Sequence, residues 1–447
     1  MRNIQKLIAF VLVFVVCACT QDDVFETSNN KEVTNFAKSG GGLTSVPGNM
    51  PVYSQNELVV RYKPGTPETM KYMIRETHGV DGDNFAIQPS FGSYQVCRCN
   101  NQDVEKWIYI VGSISIEPKK QVVSGTIGGE AYGLADVDYN FVVDFEFDSP
   151  IVGTAADDFY ESYIKTGNSG ITIAILDTGV ATGLTVFNTG TAAENRFLYN
   201  ASETAIGEEQ SGYDFVDDDV NAFDDDLNKH GSIIADQIHS ELESLDIAHQ
   251  ILPIKIADSN GTIEYFDMVC GFVYAAERAD IINASFGWYD DSFGDFGATI
   301  LEDMIAMFPN VIVVTSAGNS SFNSDTVAHY PSSFDVDNLI SVGACNYGHG
   351  KVAGFSNYGS GVDFFTRGED IPFNTSAVHG TSFAAPYITI EVAKILASGT
   401  DSDLPMATRV AMLGYPASED FKTVIDPFTE EEVVKYSFYD LYILVAE

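Results

Sequence analysis

In HGTSFAAP (379–386) a single hydroxyl, Ser382, stands among Gly380, Ala384 and Ala385, residues small enough to let other groups approach closely. The positions that follow, Ala385, Ile388, Val392 and Ile395, have helical spacing, and Pro386 falls within the first turn, where no amide donor is needed. Ser382 therefore sits at a loop-to-helix junction, and a helix N-terminus favours negative charge nearby. Taken alone, the same pattern fits an N-capping serine. Three further stretches carry groups with matching chemistry. Asp177 closes the apolar run ITIAILD and precedes Thr178 and Gly179, where a carboxylate can accept hydrogen bonds and face a cleft or simply cap a turn. His230 precedes Gly231 and the stripe Ile233, Ile234, Ile238, which roots an imidazole at the start of a packed helix. His379 competes as a base, but it lies too close to Ser382 in a tight loop to bridge it to a buried carboxylate. Asn319 ends NVIVVTSAGN, where its amide can donate to a developing oxyanion or serve a turn.

These groups need a scaffold, and the sequence from about residue 149 describes one. ITIAILDTG (171–179), HQILPIKI (249–256), DIINASFG (280–287), NVIVVTSAGN (310–319) and NLISVGAC (338–345) are nearly continuous apolar runs of strand length. Helical patterns such as FDMVCGFVYAAERA (266–279) separate several of them. Strands apolar on both faces and alternating with helices predict an α/β fold, a parallel sheet flanked by helices. Chemistry in such sheets collects at the carboxyl ends of strands, where Asp177, Ser285 and Asn319 fall. The segment after the helix at 391–399 reads as the closing part of this same domain, 149–447.

Residues 51–148 follow a different grammar: the strand ELVVRY, a helix in PGTPETMKYMIRETHG with Met70, Met73 and Ile74 as its apolar face, then strands in SYQVCRC, KWIYIVGSISIEP and NFVVDFEF. This predicts a small α+β domain. Residues 20–50 are rich in Gly, Ser, Asn and Pro and read as a flexible linker. Residues 1–19 have a signal peptide's layout, with Arg2 and Lys6 before the apolar run LIAFVLVFVV. Ala18 before Cys19 is similar to a bacterial lipobox, which predicts lipidation of Cys19, anchoring in a bacterial membrane and exposure on the periplasmic side or cell surface.

The chain has 447 residues, 45% of them hydrophobic and 12% aromatic, enough for two domains with a substantial core. Its 64 acidic residues against 23 Lys and Arg argue against nucleic acid as a partner, because such proteins present a basic face. Cys97 and Cys99 share one face of a strand, so a strained disulfide between them can be drawn. Cys270 and Cys345 lie in apolar runs and read as core residues.

Taken together and in order, DTG at Asp177, HG at His230, SFG at Ser285, AGN at Asn319 and GTSFAAP at Ser382 resemble the subtilisin-like serine peptidases, over about residues 150–400. GYDFVDDDVNAFDDD, ILPIKI and YPSSF reinforce the likeness. The resemblance implies a serine endopeptidase that needs no cofactor and acts on protein or peptide substrates through an acyl-enzyme. Ser382 would be the nucleophile, His230 the base, Asp177 the residue orienting the imidazole, and Asn319 with the Ser382 amide the oxyanion donors. Ser285, Phe286 and Gly287 would bind the substrate backbone. It further implies that 51–148 is a propeptide, an intramolecular inhibitor cut off within 144–154.

Two departures stand out. HGSIIADQ places Ile234 where the family usually has a second histidine, and Trp288 with Tyr289 follow SFG where a glycine is usual. Bulky rings there would narrow the pocket for the residue before the scissile bond. The acidic loop 217–226 suggests a calcium ligand set including Asp217, Asp219 and Asp224. The alternative function is a catalytically silent, peptide-binding surface lipoprotein on the same fold.

Overall fold

The computed structural model describes residues 51–80, 93–97, 103–109, 115–145, 160–188, 190–191, 195–201, 209–290, 296–346, 351–373, 376–400, 404–413, 421–425, 432–437 and 442–444. The signal and lipobox reading, the linker 20–50 and most of the expected processing region 144–154 lie outside them.

The N-terminal region contributes β1 (Val52–Tyr62), α1 (Glu68–Thr77), β2 (Ser93–Val96), β3 (Val104–Ile108), α2 (Ile116–Ser124) and β4 (Leu134–Asp144). The rest contributes β5 (Ile171–Asp177), β6 (Tyr213–Asp214), α3 (His230–Ser244), β7 (His249–Lys255), β8 (Thr262–Glu264), α4 (Tyr265–Ala276), β9 (Ile281–Ala284), β10 (Trp288–Tyr289) and α5 (Thr299–Met307). Then come β11 (Ile312–Ser316), β12 (His329–Tyr330), β13 (Leu339–Cys345), β14 (Phe364–Arg367), β15 (Ile371–Phe373), β16 (Ser376–Val378), α6 (Thr381–Ala397), α7 (Met406–Ala411), β17 (Phe421–Ile425), β18 (Glu432–Ser437) and β19 (Tyr442–Leu444).

Eight of these strands form one sheet in the order β19-β14-β13-β11-β9-β5-β7-β6, and every neighbouring pair in it is parallel. Side chains alternate along a strand, so each strand feeds two layers. In β5, Ile173 and Ile175 enter the core shared with Ile233, Ile234 and Ile238 of α3 and Ile388 and Val392 of α6. Ala174 and Leu176 enter the opposite core, with α4 and α5. Helices on both faces explain why these strands read as unbroken apolar runs. Ile234, the departure from the family pattern, is fully buried in the first of these cores.

The N-terminal sheet is antiparallel, ordered β2-β3-β1-β4-β8. Its last strand belongs to the peptidase-like body. One face carries Leu58, Val60, Tyr62, Trp107 and Val137 against α2. Val59, Val104, Phe141 and Val143 join the core that holds α4 and α5. Strand β4 also ends those two helices, neither of which has a side-chain cap of its own. Asn140 Oδ1 accepts from the Phe266 amide at 3.1 Å. Asp138 accepts from the Ile300 amide at 2.9 Å, Thr299 Oγ1 at 3.1 Å and the Tyr265 hydroxyl at 2.8 Å. Orphan amides at helix starts are thus satisfied from outside the helices, and the Asp138 position matches the favourable end of the α5 dipole.

Three expectations need correction. Met70 and Met73 are exposed, and α1 instead faces inward with Lys71 and Arg75. Arg75 donates to buried Glu105 at 2.7 Å and lies over the Tyr94 ring at 4.0 Å, while Lys71 pairs with Asp103 at 3.0 Å. A buried ion pair with further donors (Tyr62 and Trp107 also bond Glu105) overrides the apolar stripe that the spacing suggests. Next, IEP at 116–118 opens helix α2 rather than extending a strand. Finally, Cys97 bonds to Cys270, 173 residues away, so Cys270 is no plain core residue and Cys97 does not pair with Cys99. Cys99 itself lies outside the described residues. Cys345 is buried and free, as expected.

Candidate active site

Asp177 ends β5 at the carboxyl edge of the sheet and is fully buried. Its carboxylate accepts from the Thr178 amide at 2.8 Å and faces His230, whose Nδ1 lies 2.8 and 2.9 Å from the two oxygens. His230 is the first residue of α3. The approach is close because Gly231 has no side chain: a Cβ there would lie 2.4 Å from the Gly179 carbonyl and 3.1 Å from Asp177 Cβ. Behind the pair, Ser232 donates from its amide and its hydroxyl to Asp224, at 3.1 and 2.6 Å. Facing Asp177 through Nδ1, the imidazole holds a proton on that nitrogen, the tautomer in which Nε2 is the proton acceptor.

Ser382 lies in the first turn of α6, behind Gly380, whose φ of +146° suits glycine. Its hydroxyl donates to the Ser285 carbonyl at 3.1 Å, and the Ser285 hydroxyl donates back to the Ser382 carbonyl at 2.9 Å. Asn283 Nδ2 donates to Ser285 Oγ at 2.8 Å and holds it there. Across the loop, Asn319 Oδ1 accepts from the amide and hydroxyl of Thr381, both at 2.9 Å. With its oxygen held, the side chain turns its NH2 end outward beside Gly380, whose Cβ position lies 3.7 Å away. Thr381 thus orients the donor and stiffens the start of α6. His379 is half-exposed and accepts from the Asp370 amide at 3.1 Å, outside this arrangement.

One pocket adjoins Ser382 and Asn319. Val143, Asp144, Phe145 and Ile263 border it, together with Ser285, Phe286, Gly287, Ser316, Gly318, His329 and Thr381. Sequence reasoning missed two features here. The first is that the end of β4 lies in the cleft. Val142, Val143 and Asp144 pair antiparallel with Glu264, Ile263 and Thr262, the Phe145 amide donates to the Gly261 carbonyl at 2.9 Å, and the Phe145 ring lies 4.7 Å from the His230 ring. An extended chain has thus added itself to the free edge β8. That edge is only three residues long, TIE, too short to announce itself as a strand. The second is His329. A Cβ on Gly287 would come within 2.4 Å of its ring, so the glycine of SFG is what admits the imidazole. The Ser332 hydroxyl donates to the His329 carbonyl at 2.8 Å, so it accepts from His329 Nδ1–H, also at 2.8 Å. Nε2 is left as an acceptor, and burial pushes the pKa down to about 3.

Trp288 does not narrow this pocket. It is buried in β10, donates to the Phe296 carbonyl at 2.8 Å and packs on Phe141. Tyr289 is buried as well, and its hydroxyl accepts from Asn357 at 2.8 Å. Neither ring lines the pocket, and Tyr289 packs edge-on against the His329 ring at 4.9 Å.

The acidic loop is not gathered around one point. Asp217 and Asp219 are exposed on a turn, whereas Asp224 is fully buried and committed to Ser232. Among the described residues, the only trio of donors near enough to share an ion is His239, Glu243 and His249, at the amino end of β7. Asp224 carries a different consequence. Burial raises its pKa to about 7, against hydrogen bonds from Ser232 and the charge of Lys229, which lower it. Burial likewise raises Asp214 and Asp363 to about 6. Between pH 4 and 7 these three carboxyls keep protons that the unfolded chain has released, a contribution to stability that falls as pH rises. His329 and His239, both pushed down to about 3 chiefly by burial, contribute with the opposite slope below about pH 6.5. Asp224→Asn keeps an acceptor for Ser232 and removes the Asp224 contribution alone. The urea midpoint of Asp224→Asn, relative to that of the wild type, is therefore expected to rise between pH 5 and pH 7.5.

A buried carboxylate–imidazole pair, a hydroxyl at a helix start and an oriented amide, set at the carboxyl edge of a parallel sheet, define a class of α/β protein with the parts of a Ser-His-Asp site. A sequence model of the subtilase family matches residues 168–412, more than half of the chain, and the chain belongs to that family. The N-terminal region lies outside the matched span. Over 249 residues the chain is 31% identical to a thermophilic serine proteinase of Bacillus sp. (strain AK1), covering 53% of this chain and 54% of the relative. Over 188 residues it is 32% identical to a cell wall-associated protease of Bacillus subtilis (strain 168), covering 39% and 20%. The chain thus spans about half the length of the first relative and a fifth of the second. A solved structure of a cold adapted subtilisin-like serine proteinase aligns with a TM-score of 0.43 at 22% identity, covering 62% of this chain and 90% of that one.

Proposed function

We propose that the protein is a serine endopeptidase made as a precursor, with Ser382 as nucleophile, His230 as general base and acid, and Asp177 fixing the imidazole tautomer. The observation that carries this is the hydrogen-bonded Asp177–His230 pair, whose imidazole lies 5.2 Å from the ring of Phe383, the residue after Ser382, together with the oriented Asn319. In the reaction the Ser382 hydroxyl turns from the Ser285 carbonyl to His230 Nε2, which takes its proton as the oxygen attacks the substrate carbonyl. The tetrahedral oxyanion draws on the Asn319 amide and the Ser382 backbone N–H. His230 then protonates the leaving amine, and water repeats the sequence on the acyl-enzyme. Every part of this chemistry comes from the chain itself, so no cofactor is required. A fluorophosphonate probe is the test. Labelling confined to Ser382 is expected, and an unlabelled, processed protein would favour the silent peptide-binding alternative.

The N-terminal region supports the precursor reading because its tail, Val143–Phe145, already lies in the cleft as a peptide would. His329 lines the same pocket as Ser382 and Asn319, so in this reading the side chain beside the scissile carbonyl would meet its imidazole. That imidazole is neutral and presents a lone pair, so it selects a side chain that shares a proton with it. A glutamine brings its own N–H, and a glutamate enters with uptake of one proton from solvent. The sequence continues past Phe145 with Glu146, a residue of this kind. A fluorogenic peptide series varying only this residue is expected to rank Glu or Gln above Leu, Phe and Lys by tenfold or more in kcat/KM. A preference for Phe or Leu would remove His329 from specificity. Lipidation at Cys19 and placement on the outer face of a bacterial membrane complete the reading, and mass spectrometry of the mature N-terminus tests them.

A further inference from the structure

The disulfide Cys97–Cys270 joins the two regions that processing is meant to separate. Cys97 follows β2 in the N-terminal sheet, and Cys270 lies in α4 of the peptidase body. The proposed cut, within 144–154, falls between them along the chain. Cutting one peptide bond inside a loop closed by a disulfide yields two chains that stay joined.

We propose that the N-terminal region remains in the processed enzyme as a disulfide-bound second chain, and that its tail keeps blocking the cleft until the bond is exchanged. This rests on the precursor reading above. A free inhibitory fragment is lost by dilution, whereas a tethered one sees its site at an effective concentration of roughly millimolar. The docking surface adds to the tether: Asp138 and Asn140 cap α5 and α4, and Lys106 pairs with Glu264 at 2.6 Å. Both sulfurs are also shielded, Cys97 being 2% exposed and Cys270 1%. A reductant therefore reaches them only after β2 and β3 lift away from α4. Release is then thiol–disulfide exchange with a dithiol. One thiolate attacks Cys97 or Cys270, the second resolves the mixed disulfide, the dithiol becomes a disulfide, and the protein gains two thiols with two electrons and two protons. Formation of the bond calls for the reverse exchange with a disulfide-bearing oxidant, as found in oxidising compartments.

The experiment uses the full wild-type chain, purified with its thiols blocked by iodoacetamide and run on gels with and without reductant. Two chains with reductant and one band without it are expected, together with a Cys97–Cys270 linked peptide by mass spectrometry. Dithiothreitol should raise hydrolysis of a short fluorogenic peptide at least tenfold, after a lag that shortens in mild urea. Cys97→Ser should be active without reductant. If that variant fails to fold, the reductant response of the wild type still decides. A processed enzyme whose fragments separate without reductant, or whose Cys97 is found alkylated, overturns the tether and leaves the precursor reading standing. A single uncut chain under reducing conditions instead overturns the precursor reading.

Discussion

Ser382→Ala is expected to lower kcat by a factor on the order of 10^6, as loss of the nucleophile does in subtilisin. The reason lies in the division of labour at the site. His230 can accept a proton only from a group it faces, and Ser382 is the hydroxyl at the start of α6, beside the orienting Ser285. Alanine removes the attacking oxygen and leaves the rest in place: Thr381 still holds Asn319, and Asp177 still holds the imidazole. KM should therefore change little while kcat collapses. The same variant should lose fluorophosphonate labelling and accumulate as an uncut precursor if processing is its own work. Retention of more than a thousandth of the wild-type kcat would point to a different nucleophile.

Asn319→Leu should cost a further reaction-specific term, about 10^2 to 10^3 in kcat or about 2.7–4 kcal/mol, again the measured range for the oxyanion asparagine of subtilisin. The amide is built to be directional. Thr381 donates twice to Oδ1, so the NH2 end is the one that meets the negative charge arising on the substrate oxygen. A ground-state carbonyl gains little from that donor, so KM should stay within a few-fold. Asn319→Asp gives the sharper control, because it preserves the acceptor that Thr381 needs while it removes the donor and adds a negative charge that opposes the oxyanion. If Asn319→Asp kept full kcat while Asn319→Leu lost it, the residue would be a structural hinge for α6 and not an oxyanion donor. Thr381→Val should fall between wild type and Asn319→Leu, since it loosens the amide without deleting it.

The fold that frames the proposed chemistry was largely legible in the residues. Strands such as β5 and β13 are apolar on both faces because helices cover both, and that requirement shows in the sequence as an unbroken run. Asp177, His230, Asn319 and Ser382 stood out because each needs small neighbours and an element end, and both leave local marks. Close approach leaves its mark too, as at Gly231, where a side chain would collide with Gly179 and Asp177.

What the sequence could not convey was decided by contacts between segments far apart. The inward face of α1 is polar because Arg75 finds Glu105 across the sheet, a partner 30 residues away. The short edge β8 is a strand only because β4 lies beside it. Trp288 packs on Phe141 of β4, and His329 lines the pocket where Gly287 leaves room for its ring, partners that lie far from each residue along the chain. Cys97 meets Cys270 because docking of the N-terminal sheet on α4 places them together. A local pattern records what a residue demands of its neighbours along the chain. Partners brought together by folding leave no such record, since each half of the contact satisfies its own segment and names no other.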